Sequence, residues 1–322
     1  MLSRNYPDFA SSLIGRRLVI NVPGSTTNLG PGFDAIGLAL SIYSRFTFDF
    51  REGKDLKIDL QGSCANDLSN KRENLLLNVL LDSLQMTEES LKGLTISIQT
   101  DIPLARGLGS SSTAVLSALW AAEILKGHVP DKMHVLARAA QIEGHPDNVG
   151  ASLLGGLVVC APSIQGSKAV VKQLNWPEKW KTFVVVPPYK LSTEAARAAL
   201  PRTIPLSDAT ANVQRVALFV AAVAARDDEA LRESLFDCLH EPYRADLVPD
   251  LNKLKALVRG TNGLGCVLSG AGSSVLIIAN QRHEEEIASE LTSWCSRQSA
   301  GYKVLNLEVD RKGLRSDYES FN

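Results

Sequence analysis

Residues 103–113, Pro-Leu-Ala-Arg-Gly-Leu-Gly-Ser-Ser-Ser-Thr, constrain what this chain can fold into more than any other stretch. An alternating run (Leu94, Ile96, Ile98) precedes them, and a strongly apolar run begins at Ala114. Alternation at period two predicts a half-buried strand and the longer run predicts a helix. The glycines and serines therefore occupy a strand-to-helix turn. Gly107 and Gly109 allow the backbone to approach a ligand closely. The serines fall where the helix should begin, beside its unpaired N–H groups and the positive end of its dipole. Such a turn holds phosphate. It is not the lysine-bearing loop G-x-x-x-x-G-K-[ST], because no lysine follows the glycines.

With 322 residues the chain can build two domains. Its 45% hydrophobic and 21% charged residues argue against global disorder. A net charge of −1 gives no reason to expect nucleic acid or an anionic membrane as partner. No apolar run reaches the ~18 residues that a bilayer crossing needs. Cys64, Cys160, Cys238, Cys266 and Cys295 are scattered, odd in number and form no C-x-x-C pair. They read as reduced, buried thiols in a cytoplasmic protein. Residues 1–16 carry Tyr6, Pro7 and Asp8 among small residues, with no continuous apolar core. They read as a disordered lead-in, not as a secretion signal.

Strand and helix patterns alternate along the rest. A strand over 18–22 runs into a turn-rich segment over 23–33. The alternating runs at 46–50 and 56–60, parted by Gly53 and Lys54, predict a hairpin. Helices are expected over 74–84, over 114–126 with Gly127 as the stop, and over 132–143. A buried strand is expected over 154–161. Residues 166–180, less apolar and rich in lysine and tryptophan, read as a seam. Beyond it, strands at 183–186, 267–269, 275–279 and 305–309 mix with helices at 208–226, 249–259 and 283–296. Asp208 is expected to cap the first of these helices. The pattern is α+β with two domains, 17–170 and 171–322.

Three glycine-bearing segments carry the polar chemistry. The first is Pro23-Gly-Ser-Thr-Thr-Asn-Leu-Gly-Pro-Gly-Phe-Asp34, a sharply bent run from which Asn28 and Asp34 project. The second is the opening loop. The third, Leu268-Ser-Gly-Ala-Gly-Ser-Ser-Val275, joins two apolar strands. Taken singly, each has an ordinary explanation: a structural turn with Asp34 as a helix cap, a phosphate cradle, and a plain turn.

Together, in this order, the three resemble the signature motifs of the GHMP kinase superfamily, named for galacto-, homoserine, mevalonate and phosphomevalonate kinases. The resemblance runs from Leu18 to about Ala279. Four further segments are similar to those of its homoserine kinase family: Asn28-Leu-Gly-Pro-Gly-Phe-Asp34, Glu143-Gly-His-Pro-Asp-Asn-Val149, Ser192-Thr-Glu-Ala-Ala-Arg197 with Leu200-Pro201, and Glu241-Pro-Tyr-Arg244. The resemblance implies a two-domain fold, with an N-terminal α/β domain like that of ribosomal protein S5 and a C-terminal ferredoxin-like α+β domain.

It also implies roles, residue by residue. Pro103, Leu104, Ala105, Arg106, Gly107, Leu108, Gly109, Ser110, Ser111, Ser112 and Thr113 match the ATP-binding motif. Ser111 matches a magnesium-ligating serine, and Glu143 is the carboxylate expected to complete the Mg²⁺ site, since that hard cation takes oxygen ligands. Arg197 and Arg244 match a carboxylate clamp, and the planar guanidinium fork suits that role. Asn28, Asp34, His145 and Thr193 match positions lining the same pocket. Asp147 lies near the position of a proton-abstracting aspartate in related sugar and mevalonate kinases. It can be a base, an orienting group or a buried structural carboxylate; the orienting role is favoured for Asp147 and Asn148. The implied acceptor is L-homoserine, in threonine biosynthesis, and a homodimer is expected from the resemblance alone. A kinase of another small alcohol such as shikimate, or a non-catalytic ligand sensor, are the rival readings. Two positions depart from the family pattern: Ser273 stands for a proline, and Gly150-Ala151 for Ala-Pro.

Overall fold

The computed structural model describes residues 11–53, 55–62, 74–164 and 169–320. Most of the expected lead-in, Cys64 and residues 166–168 lie outside them. Two sheets organise the molecule. The larger is built on β1 (Arg16–Asn28) and β2 (Gly32–Phe50), which pair antiparallel along their lengths. β1 continues through the turn-rich segment as far as Asn28 instead of stopping near residue 22, with bulges at 23/24 and 27/28 absorbing the irregularity.

β2 is long enough to hold two partners on its other edge. Residues 44–50 pair with β4 (Leu94–Thr100), and residues 36–38 pair with β5 (Leu157–Pro162). β5 in turn pairs with β6 (Ala169–Leu174). The expected hairpin between 46–50 and 56–60 does not form. β3 (Lys57–Gln61) runs parallel to β4, which separates it from β2. The reason is apolar content: Leu94 and Ile96 are fully buried in the inner strand, whereas β3 has no fully buried residue and takes the edge.

α1 (Leu75–Leu84), α2 (Ser110–Leu125) and α3 (Lys132–Glu143) cover one face of this sheet. Phe46, Phe48 and Phe50 share an apolar core with Leu116, Leu119 and Leu136 there. α4 (Asp147–Leu154) packs against β1 and β2.

The smaller sheet has the order β10 (Lys303–Leu307), β7 (Trp180–Val186), β9 (Val275–Asn280), β8 (Gly263–Leu268), all antiparallel. α9 (Asp250–Arg259) and α10 (Glu284–Ser296) close one face. Its other face joins Leu38, Leu40 and Ile42 of β2 to Val184, Val186 and Phe219 in one apolar core. Phe219 comes from α6 (Leu206–Ala225), whose cap is Pro205; Asp208 lies inside the first turn, not at the cap. α5 (Thr193–Ala198), α7 (Asp228–Ser234) and α8 (Glu241–Arg244) complete the second half.

The division at residue 170 and the two sheets differ at two strands. β6 stays with the larger sheet, and β11 (Arg315–Ser320) returns to it and pairs with β1. Cys160 and Cys266 are buried free thiols, Cys238 and Cys295 are free but only partly buried, and no described helix is long and apolar enough to cross a membrane.

Candidate active site

The three glycine segments meet in one pocket between the sheets. α2 begins at Ser110, four residues before the apolar run, so Ser110, Ser111 and Ser112 form its first turn. Their N–H groups precede the first intrahelical bond, Thr113 N to Gly109 O. Gly109 sits in the left-handed region at φ 71°, and a Cβ there would lie 2.4 Å from Ser25 Oγ. Gly107 is tighter: at φ 72°, its Cβ would lie 2.0 Å from Ser269 O. Ser269 Oγ donates to Gly107 O (2.7 Å), Gly270 N to Thr27 O (3.1 Å) and Ser25 N to Leu108 O (3.1 Å). The glycines are thus needed because three segments converge on one backbone loop.

Not every residue of the loop faces the pocket. Leu104 and Thr113 do not line it. Thr113 is buried and donates to Ser110 O and toward Ser44 Oγ. Arg106 donates from Nε, Nη1 and Nη2 to Pro187 O (3.0 Å), Leu104 O (3.1 Å) and Pro188 O (2.8 Å). Its guanidinium therefore struts the loop against the segment after β7.

At the end of α3, Glu143 faces the serines. Ser111 Oγ lies 2.7 Å from both carboxylate oxygens and Ser112 Oγ 3.0 Å from one of them. The next turn brings His145, Asp147 and Asn148. His145 Nδ1 and Asn148 N both meet Asp147 Oδ1 at 2.7 Å. Asp147 is 1% exposed, so its carboxylate is committed within the protein. Burial resists charging of His145, yet the hydrogen bond and charge of Asp147, with Asp34 behind it, outweigh this and raise the imidazole pKa. Asn148 accepts from Ser25 Oγ (2.9 Å) and donates to Thr27 Oγ1 (3.3 Å), holding α4 to β1.

Across the pocket, Asn28 Oδ1 accepts from Asp34 N (3.0 Å) and Asn28 Nδ2 donates to Gly270 O (2.8 Å). Asp34 is no helix cap: it lies in β2 at φ 55°. Its carboxylate grips Arg197 through two bonds, Nη1 to Oδ2 (3.0 Å) and Nη2 to Oδ1 (2.9 Å). Both side chains of this pair remain more than one-third exposed. Arg244 is different, at 2% exposed. Burial and the nearby charge of Arg197 both lower its pKa, leaving a guanidinium short of hydration and suited to an anion. Thr193 opens α5 and lines the same space.

The chain matches the GHMP kinase N-terminal domain over residues 74–156 and the C-terminal domain over 219–297. A homoserine kinase from Synechococcus sp. is 35% identical over 309 residues, covering 95% of this chain and 100% of that one. Another from Nostoc punctiforme is 34% identical, covering 93% and 98%. The chain belongs to the homoserine kinase family of GHMP kinases. A crystal structure of homoserine kinase from Cytophaga hutchinsonii has the same fold, with a TM-score of 0.81, 24% identity and coverage of 94% and 97%. Mevalonate kinase from L. major shares it more distantly, with a TM-score of 0.68, 19% identity and coverage of 91% and 96%.

Within this GHMP kinase, Ser273 and Gly150 have local explanations, and nothing in the structure explains Ala151. Ser273 Oγ donates to Tyr189 O (2.7 Å), a bond that a proline could not make. A Cβ at Gly150 would lie 3.2 Å from Cys160 Sγ, so glycine suits the packing of α4 on β5. Thr27 of the first glycine segment and Gly270 and Ala271 of the third, which carry no individual role in the sequence pattern, also line the pocket. Phe33 and His240 lie behind the arginines. In sequence, Phe33 is simply one apolar member of the bent run. His240 directly precedes Glu241-Pro-Tyr-Arg244, and that adjacency was the available signal.

Proposed function

We propose that the protein transfers the γ-phosphoryl group of ATP to the side-chain hydroxyl of L-homoserine, giving O-phospho-L-homoserine for threonine biosynthesis. One observation carries the reading. An exposed carboxylate–guanidinium pair, Asp34 with Arg197, and a buried guanidinium, Arg244, line the same pocket as the α2 phosphate cradle. A zwitterion suits that arrangement, its carboxylate to the arginines and its ammonium to Asp34 and Asn28.

ATP phosphates belong on the N–H groups of Ser110, Ser111 and Ser112 at the positive end of α2. Glu143, Ser111 and Ser112 converge as oxygen donors only, a set that fits Mg²⁺. Among the described residues no cluster of three His, Cys, Asp or Glu side chains could hold a metal alone. Phosphate oxygens and water would complete the shell, and the cation would neutralise charge on the transferring phosphoryl group.

Asp147 orients His145 and, through its bond to Asn148 N, the start of α4. Each carboxylate of the pocket is already engaged: Glu143 by serines, Asp34 by Arg197, and Asp147 by His145. His145, with its raised pKa, favours the role of donor to substrate. The hydroxyl proton then passes to the transferred phosphate itself, and catalysis consists of alignment and charge neutralisation.

ADP release by purified protein with ATP and Mg²⁺ tests this, with homoserine, shikimate and mevalonate as acceptors. Turnover is expected with homoserine. Absence of turnover at every magnesium concentration, or a preference for another acceptor, would overturn the reading.

A further inference from the structure

Arg244 is anchored at several points, one of them the ring of a buried histidine. Its Nε donates to Ala196 O (3.1 Å), and its Nη1 faces His240 Nδ1 (3.3 Å) and Gly270 O (3.4 Å). Nη2 takes no part in these bonds. His240 is wholly buried, and its Nε2 lies 2.9 Å from Gly30 O. A carbonyl only accepts, so Nε2 carries the proton and Nδ1 has the lone pair that receives Arg244 Nη1–H. Asp237 does not disturb this assignment. It stands 3.6 Å from Nε2 and accepts instead from the N–H groups of Leu239, His240 and Glu241 (3.1, 2.9 and 2.8 Å).

The His240 ring also stacks on Phe33, with centroids 5.2 Å apart and planes inclined by 22°. The same Phe33 ring lies under both guanidiniums, 5.3 Å from Arg244 Cζ and 5.8 Å from Arg197 Cζ. Two like charges share a pocket wall here, and an aromatic face attracts each of them. The bent run of the first motif thus supplies both Asp34, the partner of Arg197, and Phe33, the floor beneath both arginines.

We infer that His240 and Phe33 are positioning residues of this kinase: His240 fixes the rotamer of Arg244, and Phe33 sets its spacing from Arg197. Together they make the pocket selective for an acceptor that carries a carboxylate. This rests on the homoserine reading above. The interaction affected lies away from the transferring phosphoryl group, so its loss falls on KM for the acceptor more than on kcat.

The test compares homoserine with the amino diol in which a hydroxymethyl group replaces the carboxylate. Wild-type protein should prefer homoserine strongly in kcat/KM. His240→Leu removes the acceptor for Arg244, and Phe33→Leu removes the aromatic face. Each should raise KM for homoserine, by about tenfold or more for His240→Leu and by several-fold for Phe33→Leu. KM for ATP should stay within about twofold, and the homoserine preference over the diol should collapse in proportion. His240→Gln, which keeps a donor and an acceptor, should recover most of that preference. A general loss of structure would lower both acceptors alike. If His240→Leu fails to fold, Phe33→Leu and His240→Gln still decide the matter. An unmoved preference ratio in folded variants, with normal wild-type turnover, would overturn this proposal alone. No wild-type transfer to homoserine would overturn the reading beneath it.

Discussion

The proposed phosphate cradle and the proposed acceptor clamp line one pocket and are built on opposite plans. The cradle is backbone. Its donors are N–H groups at the start of α2, and its shape comes from Gly107 and Gly109 closing against Ser269 and Ser25. The clamp is side chain. Asp34, Arg197 and Arg244 come from β2, α5 and α8, and are held by Phe33 and His240 from the same two regions as Asp34 and Arg244. A backbone site tolerates little steric change but needs few particular side chains. A side-chain site can change its ligand without disturbing the fold.

The largest expected effect falls on the clamp. Arg244→Leu should raise KM for homoserine by about 10²-fold or more while leaving KM for ATP nearly unchanged, because one guanidinium of a buried charge contact is lost. Steady-state kinetics with each substrate varied in turn would check the split, and an equal rise in both constants would erase the distinction between the two halves. On the cradle side, Glu143→Gln should lower kcat by about 10²-fold and shift the magnesium titration upward; normal turnover would place the metal elsewhere. Gly107→Ala should act on structure first. The positive φ and the contact with Ser269 O predict a loss of about 1–3 kcal/mol in stability. KM for ATP should rise with it, as read by thermal unfolding and kinetics.

The smallest effect concerns the junction between the halves, where His145 sits. Its folded-state pKa is raised from the usual 6.5. Below that value the imidazole is charged whether the chain is folded or not, and the stabilising contact with Asp147 is fully present. As pH climbs through the raised pKa, the proton leaves, and that stability and the donor to substrate are lost with it. KM for homoserine should therefore rise by up to about tenfold on the alkaline side. In Asp147→Asn the transition should move to lower pH, and an unaltered pH profile would show that Asp147 does not hold the proton on His145.

The same contrast explains what could be read from sequence. The cradle is contiguous over 103–113, so strand, glycines and serines announce it locally. Even so, Leu104 and Thr113 face away and Arg106 is a strut, because a linear motif does not say which way each side chain turns. The clamp had to be taken from motif resemblance, since nothing local links Asp34 to Arg197. The bond between them, and the histidine behind Arg244, exist only after the chain is folded. The hairpin expected at 46–60 failed for a related reason. Both runs alternate, but alternation does not state which neighbour is the more apolar, and β4 displaced β3 from the inner position.

β1 is flanked by β2, its neighbour in sequence, and by β11, with Arg16 opposite Ser320. During synthesis this edge of β1 therefore has no β11 to pair with until the residues of the second sheet have been made. The larger half cannot be a finished folding unit that emerges early. A fragment cut at the middle of the chain would leave that edge of β1 open to pairing with other strands.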